Sequence, residues 1–285
     1  MLFLCGFAPL REILKLISLL RISLILLIGF ALACNSNNSS TPEPTHATPS
    51  LNYSVVAIYP HDTTSYTEGL LFHDGQLYES EGYYERFPQS RSIFGPVDLK
   101  SGKINVKAEL DKQKYFGEGI AFLNDKVYQL TYKTKIGFIY DAKSFQKIGE
   151  FTFPSNEGWG MTTDGHSLIM SDGSEHLTWL DPVKFQTQKT ITVMDENGIV
   201  INLNELEWIK GSIYANVYGT NDIVKIDPQS GKVLARLNLG TLTQDAKTKF
   251  PGCQELNGIA YDSTSGNTMV TGKLWPNIYE IKFPY

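Results

Sequence analysis

The sequence predicts an all-β chain folded as a five-bladed β-propeller, closed by an N-terminal strand that completes the last blade. A cassette of strand, tight turn and strand recurs five times, opening at Glu68, Glu118, Trp159, Asn204 and Asn257. The openings lie 50, 41, 45 and 53 residues apart, close to the period of propeller blades. The last blade is one strand short, and one strand is left over before the first.

The first cassette, EGLLFHDGQLYES, turns at His73-Asp74-Gly75, and the second, EGIAFLNDKVYQL, at Asn124-Asp125. The third, WGMTTDGHSLIMS, turns at Thr163-Asp164-Gly165, the fourth, NELEWIKGSIYAN, at Lys210-Gly211, and the fifth, NGIAYDSTSGNTMVT, over Ser263–Gly266. Gly, Asn and Asp adopt or stabilise the backbone angles of such turns. A second hairpin follows the first four cassettes, with turns beginning at Asp98, Asp141, Asp181 and Asp227. Two hairpins make the four strands of a blade. After the fifth cassette only NIYEIKFPY remains. The segment Tyr53–Tyr59, apolar and β-branched, is the spare strand. At the outer edge of the last blade it closes the ring and removes an edge that would template aggregation. One propeller domain is expected over residues 51–285.

The residues before it read differently. Arg11, Lys15 and Arg21 precede an uncharged apolar run from Ile22 to Ala33. That run is short for a membrane span and right for the core of a signal peptide. It ends in Ala31-Leu32-Ala33-Cys34, which resembles the lipid-attachment box of bacterial lipoproteins, although Ala31 stands where Leu is usual. Residues 1–34 are therefore expected to be a signal peptide with Cys34 as the lipidation site. The protein is expected to be exported, and periplasmic or tethered to the outer membrane; plain secretion is the alternative. Residues 35–50, rich in Asn, Ser, Thr and Pro, cannot bury enough apolar surface to offset ordering entropy, and an unstructured tether is expected there.

Composition excludes some function classes. The net charge of −5 and pI near 5.6 speak against nucleic acid as a partner. Cys5 and Cys34 lie in the leader, so Cys253 is alone in the domain and cannot form an internal disulfide. With no His near it in sequence, it reads as a packed thiol. The five His residues, at 46, 61, 73, 166 and 176, have no metal-ligand spacing. No phosphate loop, HExxH or GxSxG occurs. No cofactor is expected, though mouth carboxylates and Asn leave an all-oxygen calcium site open. A closed ring has no free sheet edge, and a monomer is expected.

Propeller geometry brings two sets of residues to one mouth. If each cassette begins with the innermost strand, the openings Glu68, Glu118, Trp159, Asn204 with Glu205, and Asn257 gather there. The second strand runs back, so Glu81 to Tyr83, Tyr132, Asp172, Tyr218 and Lys273 to Trp275 join them.

At these residues the chain resembles a known family. The stretches YPHDTTSYTEGL, FGEG (116–119), EGWG (157–160), LNELE (203–207), LNGIAYD (256–262) and VTGKLWP (270–276) are similar, in order, to those of the plant- and bacterial-type glutaminyl-peptide cyclotransferases. The resemblance covers residues 53–283 and implies a five-bladed propeller, agreeing with the blade count. It implies peptides or proteins with N-terminal glutamine as substrates. The α-amine attacks the residue's own side-chain amide, ammonia leaves, and pyroglutamate remains.

Carried over by position, the resemblance puts the acid/base carboxyl on Glu118 and pocket residues on Tyr66, Phe116, Trp159, Asn204 and Lys273. Glu118 is then expected to shuttle the proton, and Lys273 to stabilise the oxyanion or leaving group. Asn204 is expected to hold the substrate, with Trp159 and Phe116 walling the pocket and raising the Glu118 pKa by desolvation. Three positions depart from the plant pattern: Glu68 stands where Gln is usual, and Tyr132 and Tyr218 where Trp is usual. Glu68 would bind the substrate ammonium or share a proton with Glu118. Two other readings stay open: a non-catalytic propeller that binds peptides or sugars, and a calcium-dependent hydrolase of the lactonase type.

Overall fold

The computed structural model describes residues 47–285, and the leader, Cys34 and most of the expected tether lie outside them. The described chain is a five-bladed β-propeller. Blade 1 runs outward through Thr67–His73, Gln76–Glu81 and Ile93–Asp98, with two short outer strands, Lys103–Ile104 and Ala108–Glu109. Blade 2 comprises Gly117–Leu123, Lys126–Thr131, Ile136–Asp141 and Lys147–Thr152. Blade 3 comprises Met161–Thr163, Leu168–Ser171, His176–Leu180 and Thr187–Thr192. Blade 4 comprises Leu203–Ile209, Ser212–Val217, Asp222–Ile226 and Val233–Asn238.

Blade 5 consists of Leu256–Asp262, Asn267–Gly272 and Asn277–Lys282, and Ser54–Pro60 pairs antiparallel on its outside. In that closing pair Ser54 faces Lys282 and Pro60 faces Asn277. The chain reaches the seam along the rim of blade 4, where the Arg236 amide donates to the Pro49 carbonyl (2.8 Å) and the Leu51 amide to the Arg236 carbonyl. The end of the expected tether, Pro49 and Ser50, is thus held against a strand, and order begins before residue 51.

The core is divided among the seams. Five buried apolar clusters each lie between neighbouring blades: Phe94 with Val127, Leu130 with Met161, Ile169 with Leu206, Tyr214 with Val270, and Leu77 with Ile278. Each strand's inward alternation feeds two clusters, one on either face, so the ring is held by apolar burial all round. Two elements were not expected: a hairpin of Met194–Asp195 and Gly198–Ile199, and one helix, Gly240–Lys249, between blades 4 and 5. Cys253 follows the helix, buried in the blade 4–5 cluster.

Candidate active site

The cassette openings share one local device. In four inner strands the pairing register slips just where the opening residue stands: between Thr67 and Gly69, Gly117 and Ile120, Leu203 and Leu206, and Leu256 and Ile259. A bulge adds a residue to one strand and re-aims its side chain. Here it turns Glu68, Glu118, Asn204 and Asn257 toward the axis. In blade 3 the regular strand starts later, and Trp159 and Gly160 pair irregularly with Ser171. The following glycine lets inner strands meet: the Gly119 amide donates to the Trp159 carbonyl at 2.8 Å, and a Cβ on Gly119 would lie 2.4 Å from the Met161 nitrogen.

Blade 4 breaks the rule. Where the other openings are followed by Gly, it has Glu205. Its carboxyl crosses the axis and accepts from the Leu70 amide (3.1 Å) and the Ile259 amide (2.8 Å). Buried side chains thereby plug the channel and leave a cup at one mouth.

That cup has a volume of about 280 Å³ and is lined by Tyr66, Glu68, Tyr84, Phe116, Glu118, Tyr132, Trp159, Asn204, Tyr218 and Lys273. All nine residues expected to form a site line it. Tyr84 was not expected; it lies in the loop after blade 1's second strand, outside the repeat, with its ring centroid 5.1 Å from that of Tyr66. Other mouth candidates do not line the cup. Glu81 accepts from the Ser65 hydroxyl, Asp172 from Ser174, and the Trp275 indole donates to the Gln254 carbonyl. Asn257 donates to the Thr67 carbonyl and to Glu68.

Two buried oxygens in the cup have no protein partner: Oε2 of Glu118 and Oδ1 of Asn204. An unsatisfied buried acceptor is costly, and both would be relieved by donors on a ligand. Lys273 is the one cation in the lining. Its Nζ forms an ion pair with Glu68 and stands 4.5 Å from the Tyr66 ring centre. Glu68 is therefore engaged by Lys273 and Asn257 and is not a free carboxylate awaiting an ammonium.

Burial raises the Glu118 pKa well above the ordinary carboxylate value; the charge of Glu68 pushes it further and Lys273 only partly offsets this. Burial also outweighs Lys273 at Glu68, which is held up at about 7. The walls are fixed: the Trp159 indole donates to Glu157 (3.0 Å) and meets Tyr218 edge-on at 5.7 Å, while Phe116 meets Tyr66 edge-on at 6.1 Å. Among the described residues no three His, Cys, Asp or Glu side chains converge as a metal cage.

Comparison with known proteins agrees with this geometry. Residues 26–283 match the family described as glutamine cyclotransferase. The chain is 37% identical over 230 residues to the glutaminyl-peptide cyclotransferase of Arabidopsis thaliana, covering 80% of this chain and 70% of that one. It is similar to the crystal structure of Myxococcus xanthus glutaminyl cyclase, with a TM-score of 0.74 and 30% identity over 83% of this chain and 98% of that one.

Proposed function

The chain belongs to the glutamine cyclotransferase family, and from that premise we propose how its cup does the chemistry. The reaction converts an N-terminal glutamine of a peptide or protein to pyroglutamate and releases ammonia. Nucleophile and electrophile share one residue, so the enzyme's task is to fold that residue on itself, move a proton and stabilise an oxyanion.

Glu118 is the proton shuttle. The α-nitrogen attacks the side-chain amide carbon, its proton passes to Glu118, and the carbon–nitrogen bond to the amide nitrogen breaks as Glu118 returns the proton to it. Ammonia leaves with no net gain or loss of protons at the enzyme. The raised pKa suits both halves, because it moves the carboxyl toward the range of a peptide α-amine, about 7.7–8.0. Lys273 donates to the amide oxygen as it becomes an oxyanion. Pairing with Glu68 tempers its charge and keeps it in place. The Asn204 oxygen accepts from the substrate's amine or amide. Phe116, Tyr66 and Trp159 exclude the water that would hydrolyse the amide instead.

The observation that carries this reading is the unpartnered Glu118 oxygen, buried in the cup that also holds Lys273 and Asn204. Ammonia release from a Gln-initiated dipeptide tests it. We expect Glu118→Gln to lose about 10²–10⁴-fold in rate. Undiminished release from Glu118→Gln overturns the assignment, and release that collapses with chelator transfers it to a metal mechanism.

Export and lipidation belong to the same proposal. The basic residues, the apolar run and Cys34 support a membrane-tethered enzyme acting on exported chains. Cys34→Ala is expected to move the protein from the membrane to the soluble fraction.

A further inference from the structure

Outside the cup, on the seam between the last blade and the first, lies an ion pair with no exposed side-chain surface. His61 Nε2 is 3.0 and 3.1 Å from the two oxygens of Glu79, and Nδ1 is 2.9 Å from the Trp275 carbonyl oxygen. The Thr271 hydroxyl, 3.3 Å from Nδ1, gives its own proton to the Asn277 carbonyl; the carbonyl and the carboxylate both accept, so both ring nitrogens carry hydrogen and the ring is an imidazolium. Burial alone would lower the His61 pKa, but Glu79 and the Trp275 carbonyl more than offset it.

Each end of this pair bonds a near chain neighbour of one half of the ion pair in the cup. Glu79 also accepts from the Thr67 hydroxyl at 2.6 Å, and Thr67 precedes Glu68. Trp275 stands two residues after Lys273, and the His61 amide donates to the Pro276 carbonyl at 3.0 Å. The turn between is strained: Leu274 has φ of 60°, a left-handed conformation that a leucine keeps only when its surroundings fix it. The Leu274 amide donates to the Ser65 carbonyl, and the Lys273 amide to the Glu255 carbonyl.

We propose that His61 and Glu79 are positioning residues: they lock the turn bearing Lys273 to the strand bearing Glu68 across the seam where the ring closes. Apolar packing is non-directional and would let the two blades slide. Two charge-assisted bonds in fixed directions set their register, and with it the reach of Nζ toward the substrate amide. An error of about 1 Å there costs catalysis about a hundredfold. The proposal rests on the role given to Lys273 above.

The experiment compares His61→Gln, the neutral pair His61→Gln with Glu79→Gln, and Lys273→Ala, using a Gln-initiated dipeptide and a thermal melt for each. In His61→Gln, folded and melting cooperatively, kcat is expected to fall about 10–100-fold while KM stays within about threefold. Placed on Lys273→Ala, His61→Gln is expected to cost little more, because the residue it positions is gone. A folded variant with wild-type kcat overturns the proposal, as does a His61→Gln loss equally large in both backgrounds. If His61→Gln does not fold, the neutral pair, which strands no lone charge, is read by the same criteria. If Lys273→Ala itself keeps wild-type kcat, the role of Lys273 falls and the proposal falls with it, a result distinct from loss in Lys273→Ala alone.

Discussion

Glu68 shows how one substitution rewires a site. Its carboxylate raises the Glu118 pKa, and its partner Lys273 lowers it. Glu68→Gln removes the raising charge and frees the lowering one, so the Glu118 pKa must fall. The limb of the kcat/KM profile that reports Glu118 is expected to move to lower pH; a shift to higher pH would contradict the arrangement. Most of this site was legible in the sequence, because a propeller turns repeat position into spatial position and the motifs marked which copies differ. What the sequence could not give was pairing. Glu68 and Lys273 are 205 residues apart, and nothing in the linear order says that one neutralises the other. Tyr84 escaped because it lies one residue beyond the Glu81 to Tyr83 stretch that the returning strand brings to the mouth.

At the scale of elements, the inner strands do the positioning. Their bulges aim the opening side chains, and the glycines after them let neighbouring strands touch. Gly119→Ala would drive a Cβ into the Met161 amide and the Gly160 carbonyl carbon, at 2.4 and 2.8 Å. Both contacts are backbone and yield little. A loss of about 1–3 kcal/mol in stability is expected from denaturant melts, together with reduced turnover, since Glu118 and Trp159 flank the contact. The turn aspartates and the strand periods were readable in the chain because they are local. The helix Gly240–Lys249 was not: Leu239 at its N-cap makes no side-chain cap bond and its first turn carries no acid, so the usual start signals are missing. The hairpin at residues 194–199 is too short to leave a pattern.

Taken whole, the ring carries an unusual distribution of protons. Burial raises the pKa values of Glu81 and Glu205 as well as Glu118, and brings Glu207 to about 8. Folded carboxyls that hold protons more tightly than the unfolded chain contribute stability that is complete at low pH. It is lost as pH rises through the folded values. His61, also raised, acts in the same direction. The aspartates of the outer turns, Asp98, Asp141, Asp181 and Asp227, are lowered by hydrogen bonds from their own turns, so their contribution disappears only as pH falls below about 4. The melting temperature is therefore expected to rise as pH is lowered from about 8.5 to 5 and to drop below about 4. Glu207→Gln, a neutral replacement on the far side of the plug from the cup, is expected to flatten the alkaline decline while leaving turnover unchanged. A melt that is flat between pH 5 and 8.5 in the wild type would refute this account.

The carboxyl of Glu205, bonded to strands on two other blades, makes the axis a blind alley. A polypeptide cannot be threaded through a vessel with one door; it can only be dipped in by its tip. An internal glutamine, flanked on both sides by chain, has no way to reach the floor where Glu118 waits. The closed axis thus limits the cup to chain ends, and telling the first residue from the last falls to the groups that meet its amine. Ammonia and the cyclised end must back out the way they came.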